Sequence, residues 1–390
     1  MLNPNWIALI AFVCAFAACL WIHPYILTLA KIKHITDDPD ERKLQHEPVP
    51  VLGGIAVLFG ILTGTLVANC FFDCRELLVA ILAGGMMLYL GSIDDSLSLS
   101  PGIRFAFEIV LTLLLISCGM IIDDFHGLFG IHRISRWIAV PLTVVAVVGI
   151  INAINLIDGV DGLSSGLCIT VCIIYCIIFA KVGDWPWAVL ALVCAGALFP
   201  FFLHNIFGRT THIYIGDGGT LLMGLMLSCF VIEVLRSGSP ASQLADQNTG
   251  LCLVAMVLAT LSEPVFDCLR VMGWRIAKGL SPFMPDKTHL HHLFIEARYS
   301  HVFTSLFIIC FNLLVFAVWY LSYKLGAPQG VQGLIVICMA ALVTFGFYAF
   351  MAAHRKRNTR FYRHFVWFGL HTHLKRTGFW IWMRNLMDRL

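Results

Sequence analysis

At 390 residues, with 59% of them apolar, 13% charged and a formal net charge of +3, the chain is too poor in charge to be a water-soluble globular domain, in which about 25% of residues are charged. The composition excludes a soluble enzyme, and no nucleic-acid partner is expected. The solvent of most of this chain is lipid.

A helix rises ~1.5 Å per residue and must cross ~30 Å of hydrocarbon, so runs of about 17 to 25 mostly apolar residues predict spans. Eleven such runs occur, over approximately 5–27, 50–70, 77–93, 103–122, 137–157, 163–181, 186–204, 217–235, 250–270, 303–325 and 331–353. The predicted fold is all-α: a polytopic membrane domain over 1–353, then a basic, Trp-rich tail over 354–390 that reads as an interfacial helix on an anionic leaflet. No Lys or Arg precedes the first run, which reads as an uncleaved helix rather than a removed signal peptide. With the N-terminus outside, 20 Lys and Arg fall on the inner side and 6 on the outer, so the positive-inside rule predicts a periplasmic N-terminus and a cytoplasmic tail. Most of the 14 cysteines lie within the runs as small apolar side chains. Cys70 and Cys74 flank an outer turn and are more readily read as free than as a disulfide.

Five polar segments interrupt the apolar pattern, and the topology puts all five on the inner face. They are DDPDERKLQHEPVPVLGG (Asp37 to Gly54), GSIDDSLSLSPG (Gly91 to Gly102), NAINLIDGVDGLSSG (Asn152 to Gly166), HNIFGRTTHIYIGDGGT (His204 to Thr220) and SPFMPDKTHLHH (Ser281 to His292). Carboxylates at or near membrane depth are expensive and mark functional sites by default. Five such segments on one side predict one site open to that side.

The residue types suggest what the site holds. Asp158 and Asp161 are three apart and share a face if their turn continues as helix; Asn152 and Asn155 offer amide donors to phosphate or sugar oxygens. Asp94 and Asp95, being adjacent, point apart on a helix and take different jobs. In GDGGT, Asp217 sits at a glycine-rich helix start whose free N–H groups suit an anion. A carboxylate there repels phosphate unless a cation bridges the two, and Mg²⁺ commonly binds one or two carboxylates plus substrate phosphates. His289, His291 and His292, with Lys287 and Arg275 nearby, fit phosphate and sugar recognition better than zinc, for which no HExxH helix is present. Glu263 and Asp267 lie one turn apart beside Pro264, and Asp267 is expected to pair structurally with Arg270 or Arg275.

The motifs DD at Asp94 and Asp95, NAINLIDGVDGL at Asn152 to Leu163, GDGGT at Gly216 to Thr220 and HLHH at His289 to His292 resemble the polyprenyl-phosphate N-acetylhexosamine-1-phosphate transferases, from about Lys31 to Arg298. SPFMPDKTHLHH is similar to the WecA/TagO-like branch, whereas the MraY-like branch, which transfers phospho-N-acetylmuramoyl-pentapeptide, has three consecutive histidines where Leu290 intervenes here. The resemblance implies an undecaprenyl-phosphate GlcNAc-1-phosphate transferase of the bacterial inner membrane. Such an enzyme uses UDP-GlcNAc and Mg²⁺, with Mn²⁺ as a substitute, and feeds envelope polysaccharide synthesis. It further implies catalytic roles for Asp94, Asp95, Asp158, Asp161 and Asp217, with Asp217 and Asp95 as metal ligands. Lys43, His46, Asn152, Asn155, Arg275, His289, His291 and His292 are implied as substrate contacts, and a homodimer is compatible with the pattern.

Two other enzyme or carrier classes share pieces of the pattern. YIGDGG at Tyr214 to Gly219 is similar to the GxGD motif of intramembrane aspartyl proteases, but Tyr214 stands at the first glycine position and the acids lie at helix ends. A cation transporter would need acids in mid-span, for which Glu263 and Asp267 are the candidates.

Overall fold

The computed structural model describes residues 3–37, 48–245, 250–282, 287–374 and 378–390; Lys43 and His46 lie outside them. In chain order the first helices are α1 (Pro4–Ile32), α2 (Gly53–Asn69), α3 (Leu78–Leu97), α4 (Pro101–Ser117), α5 (Arg136–Leu156), α6 (Leu163–Lys181), α7 (Trp185–Phe207) and α8 (Gly216–Leu235). They continue as α9 (Leu253–Thr260), α10 (Ser262–Ala277), α11 (Leu290–Glu296), α12 (His301–Lys324), α13 (Gln329–Ala341), α14 (Phe347–Lys356), α15 (Arg360–Leu370) and α16 (Gly378–Met387). Two short antiparallel ladders pair β1 (Thr36–Asp37) with β2 (Val49–Pro50), and β3 (Asp124–Leu128) with β4 (Ile131–Arg133).

Eight helices among the described residues are long and apolar enough to cross a membrane, one of them the continuous stretch Gln329–Lys356, in which a π-helical turn joins α13 to α14. The protein is therefore a multi-pass helical membrane protein. Three of the eleven expected spans fall short of that standard for identifiable reasons. Helices α2 and α4 have 17 residues each, and α4 also carries Arg104 and Glu108. The ninth run breaks into α9 and α10 at Leu261, where Pro264 cannot donate to the carbonyl of Thr260. Asn312 of α12 repairs the break: its Nδ2 donates to that carbonyl at 2.9 Å and its Oδ1 accepts from the Glu263 N–H at 3.0 Å. Irregular backbone at this depth is tolerated because a neighbouring helix satisfies it.

Helix α8 is the centre of the bundle. Every residue from Gly218 to Leu235 is buried, and the helix is apolar all round because α2, α3, α5 and α6 enclose it. Lipid supplies no hydrophobic drive between helices, so close van der Waals contact at small residues does the holding. A Cβ added at Gly91 would lie 2.4 Å from the Cα of Gly218, and one at Gly54 would lie 2.5 Å from the Cα of Gly219. Large apolar side chains such as Leu82 and Val145 are 66% and 70% exposed, a surface suited to lipid. The Gly91 contact seats the end of α3, which carries Asp94 and Asp95, on the first turn of α8, which carries Asp217. Gly91→Ala should force the two helices apart at a cost of about 1–3 kcal/mol, read as a lowered melting temperature in detergent and a disproportionate loss of turnover. Wild-type values for both would contradict this packing.

The tail folds back on the bundle. Trp367 of α15 and Trp382 of α16 are exposed, but Trp380 turns inward onto Phe207, with ring centroids 4.7 Å apart. All 14 cysteines are free, Cys70 and Cys74 included.

Candidate active site

At the end of the bundle where α3, α5 and α7 finish and α6 and α8 begin lies a cavity of about 570 Å³. Asp37, Asp94, Asp95, Asn155, Asp158, Asp161, Asp217 and His292 all line it, so all five polar segments of the sequence meet there. The end of the first segment is tied in by its backbone: Tyr214 N–H donates to Pro50 O at 2.8 Å, and the Gly53 and Gly54 N–H groups donate to Tyr214 O and Ile215 O at 3.0 and 2.9 Å.

Adjacent Asp94 and Asp95 do separate jobs, as their spacing requires. The Asp95 carboxylate accepts from the N–H groups of Asp217 at 2.9 Å and Gly218 at 3.4 Å. The anion site expected at the glycine-rich start of α8 is thus filled by the protein's own carboxylate rather than left for a substrate phosphate, a charge well placed against the helix dipole. Asp95 thus caps α8 while also lining the cavity beside Asp217. Asp94 instead accepts from Leu99 N–H at 2.7 Å, fixing the turn after α3, where Ser98 adopts a left-handed conformation with φ +50°.

Between these acids stands a residue that the sequence motifs do not mark. Arg104, one turn into α4, lies 3.4 Å from Asp94 and 3.9 Å from Asp217 through Nη1. It is aimed from behind by Glu108, fully buried with its Oε1 3.7 Å from Nε, and by Asn152, whose Oδ1 accepts from Nη2 at 3.1 Å. Asn152 in turn donates to Glu108 Oε2 at 2.5 Å. Asn152 therefore stands behind the cavity and positions the guanidinium rather than lining the cavity itself. Its neighbour Asn155 does face the site: Nδ2 donates to Asp217 Oδ1 at 2.7 Å and to Thr220 Oγ1 at 2.9 Å.

Asp158 and Asp161 share no helical face, because the chain between α5 and α6 is an irregular turn closed by Gly162 at φ +76°. Only at Gly162 does helix resume, with its N–H held by Asn205 Oδ1 at 2.7 Å. Asp158 points forward to accept from the Ser164 hydroxyl. Burial pushes its carboxyl up to about 7, the Ser164 hydrogen bond opposing and the Asp217 charge adding to the shift. Asp161 behaves oppositely. Burial would raise it, but His212, with Nε2 3.5 Å from Oδ1, and His301, with Nδ1 2.8 Å from Oδ2, outweigh burial and hold it well below the usual carboxylate range.

The raised Asp158 carries a stability signature. Between the unfolded pKa near ~3.9 and about 7 in the fold, the native state holds a proton that the unfolded chain has released, so this residue's contribution to stability falls as pH rises through that window. Relative to Asp158→Asn, the wild-type protein should lose melting temperature from about pH 4 to about pH 7. A constant difference between the two would contradict the assignment.

The histidine segment divides. His292 lines the cavity. His289, the residue before α11, is 4% exposed and pairs through Nδ1 with Asp267 Oδ2 at 2.9 Å, while Arg270 takes Asp267 Oδ1 at 2.6 Å. Asp267 is thus the structural ion-pair partner expected of it. His291 is buried against Gly159, where an added Cβ would lie 2.5 Å from its Nε2; burial, then His292 and His289, drives its pKa well down. Arg275 is buried and donates to Pro282 O at 2.6 Å. His289, His291 and Arg275 thus shape the wall from behind and do not line the cavity as expected.

A polytopic helical membrane protein with acids gathered around an arginine at one end of its bundle is thereby defined. The Glycosyl transferase family 4 model matches residues 77–235, which hold the Asp94/Asp95, Asn155–Asp161 and Asp217 segments. The chain is 31% identical over 285 residues to the decaprenyl-phosphate N-acetylglucosaminephosphotransferase of Mycobacterium leprae (strain TN), covering 67% of this chain and 70% of that one. It is 27% identical over 304 residues to the probable undecaprenyl-phosphate N-acetylglucosaminyl 1-phosphate transferase of Bacillus subtilis (strain 168), covering 77% and 81%. It is 26% identical over 277 residues to the undecaprenyl-phosphate alpha-N-acetylglucosaminyl 1-phosphate transferase of Escherichia coli (strain K12), covering 70% and 72%. The chain belongs to the family of polyprenyl-phosphate N-acetylhexosamine-1-phosphate transferases.

Proposed function

We propose that the protein transfers GlcNAc-1-phosphate from UDP-GlcNAc to undecaprenyl phosphate, giving undecaprenyl-diphospho-GlcNAc and UMP, at the cytoplasmic face of a bacterial inner membrane. The observation that carries this reading is the meeting of Asp94, Asn155, Asp158, Asp161 and Asp217 in one cavity, with Arg104 wedged between two of the acids. The location suits the substrates: a soluble nucleotide sugar, an acceptor phosphate at the headgroup plane and a prenyl chain that stays in lipid.

The donor set fits Mg²⁺. Its atoms are carboxylate oxygens, and Asp95, bonded to the Asp217 N–H at 2.9 Å, and Asp94 crowd negative charge against Asp217 that a cation would relieve. Among the described residues no three His, Cys, Asp or Glu close a metal site by themselves, which suits an ion that keeps waters and takes substrate phosphates as ligands. Asp217, with Asp95 beside it, would hold the ion, which would supply charge neutralisation to the diphosphate, while Asp94 would face the acceptor phosphate.

The chain's own residues do the rest. Arg104 presents a fixed fork of donors beside those acids, suited to clamping phosphate oxygens. Asn155 orients Asp217; Asp158, Asp161 and His292 face the remainder of the donor. The acceptor phosphate has a second pKa near ~6, so at neutral pH it is already mostly dianionic and gains little from a base. The larger barrier is bringing two anions together, and preorganised positive charge is the remedy.

Incubation of the purified protein with undecaprenyl phosphate, Mg²⁺ and a panel of UDP-sugars, with the lipid product identified by mass, tests the reading. The expected result is UMP release and a GlcNAc-bearing lipid, both abolished by a chelator. Formation of only the muramoyl-pentapeptide lipid would move the chain to the MraY-like branch.

A further inference from the structure

We propose that the C-terminal tail is a working part of the donor side of the cavity, with Asp388 as a positioning residue for Asp161. This rests on the reading of Asp161 as a contact for the nucleotide sugar.

The Asp161 carboxylate has two imidazole partners, His212 and His301, and the tail grips the residue next to each. On the His212 side, a single oxygen of Asp388 accepts from the N–H groups of Arg209 at 2.8 Å and Thr210 at 3.0 Å, and from the Thr211 hydroxyl at 3.3 Å. Burial would raise the Asp388 carboxyl, but these backbone donors win and hold it below its ordinary value. The carbonyls of the same loop are taken from the opposite side by α1, Thr210 O by Lys31 Nζ at 2.9 Å and Thr211 O by His23 Nε2 at 3.1 Å. His212 follows directly.

On the His301 side, Ser300 N–H donates to Thr372 Oγ1 and Ser300 Oγ donates to Thr372 O, both at 2.9 Å. Beside this second grip lies a cavity of about 420 Å³, lined by Leu370, Thr372, His373 and Trp380 of the tail together with Asp161, Ser300 and His301. The tilted contact of Trp380 with Phe207 seats α16 at the start of the gripped loop. One terminal segment thus brackets both imidazoles that orient one carboxylate of the main cavity, an arrangement that a tail serving only as a membrane anchor does not need.

The test uses the full-length protein and the substitutions Asp388→Ala and Asp388→Asn. Asparagine keeps the oxygen that accepts all three donors; alanine does not. Asp388→Ala should raise the KM for UDP-GlcNAc about five-fold or more while leaving the KM for undecaprenyl phosphate within about two-fold, and Asp388→Asn should restore the wild-type value. In a His212→Ala background, Asp388→Ala should add nothing, because residues acting through one contact are non-additive. Amide hydrogen exchange at Arg209 and Thr210 should quicken in Asp388→Ala and not in Asp388→Asn, a readout independent of activity. Unchanged kinetics in Asp388→Ala, failure of asparagine to rescue, additive effects with His212→Ala, or unchanged exchange would each overturn the proposal. A wild-type protein with no transfer from UDP-GlcNAc would instead overturn the functional reading, leaving the exchange measurement to decide the grip.

Discussion

Asp217→Asn should lower kcat by about 10³-fold or more at every pH, while Asp94→Asn should lose progressively less above about pH 8, where the acceptor phosphate is fully dianionic. The asymmetry comes from what each carboxylate does. Asp217 is the acid placed by Asn155, faced by Asp94 and approached by Arg104, so its charge is the one around which a cation and a diphosphate would assemble. Asp94 holds the turn after α3 through Leu99 N–H, a role an asparagine oxygen can fill. Asparagine at 217 also keeps the Asn155 hydrogen bond and removes one charge from a crowded set. The Asp217→Asn protein should therefore melt no lower than wild type although inactive. Rate profiles of both variants between about pH 6 and about pH 9 check this, and equal losses throughout would count against the ordering.

Arg104→Ala should cost about 10²- to 10³-fold in kcat/KM, and Arg104→Lys should recover only a small part of it. A lysine brings the charge but not the planar fork that meets Asp94, Asp217 and Asn152 from one position. Glu108→Gln should have a smaller effect, since it touches only the guanidinium and its amide support. Kinetics with each substrate varied in turn would check this, and full rescue by lysine would show that only charge is required.

Arg104 also shows where the sequence stops speaking. The polar segments are conspicuous because they interrupt apolar runs, and their shared parity along the chain places Asp94, Asn155, Asp158, Asp161, Asp217 and His292 at one end of the bundle, as found. Arg104 and Glu108 lie inside an apolar run, and their importance depends on Asn152 of a different helix. The available signal was an ionisable pair at i and i+4 on an otherwise apolar helix, which is costly in lipid without a partner. The HLHH segment divides for a local reason. Four consecutive residues at a helix start point in different directions, so His292 reaches the cavity while His289 and His291 turn into the protein. Asp158 and Asp161 lost their expected common face because Gly162 delays the helix past both. Hydropathy alone cannot see the helix break in the ninth run that Asn312 repairs from a distance.

The central claim is that a single cavity, open to the cytoplasm, holds the nucleotide sugar. Ser98→Cys sits at the exposed lip of that cavity and Phe129→Cys on the hairpin at the other end of the bundle. With a membrane-impermeant maleimide on sealed vesicles of either orientation, and the unsubstituted protein as background, Ser98→Cys should react only from the cytoplasmic side and be protected by UDP-GlcNAc. Phe129→Cys should react only from the other side, without protection. Labelling of Ser98→Cys from the periplasmic side would contradict the account.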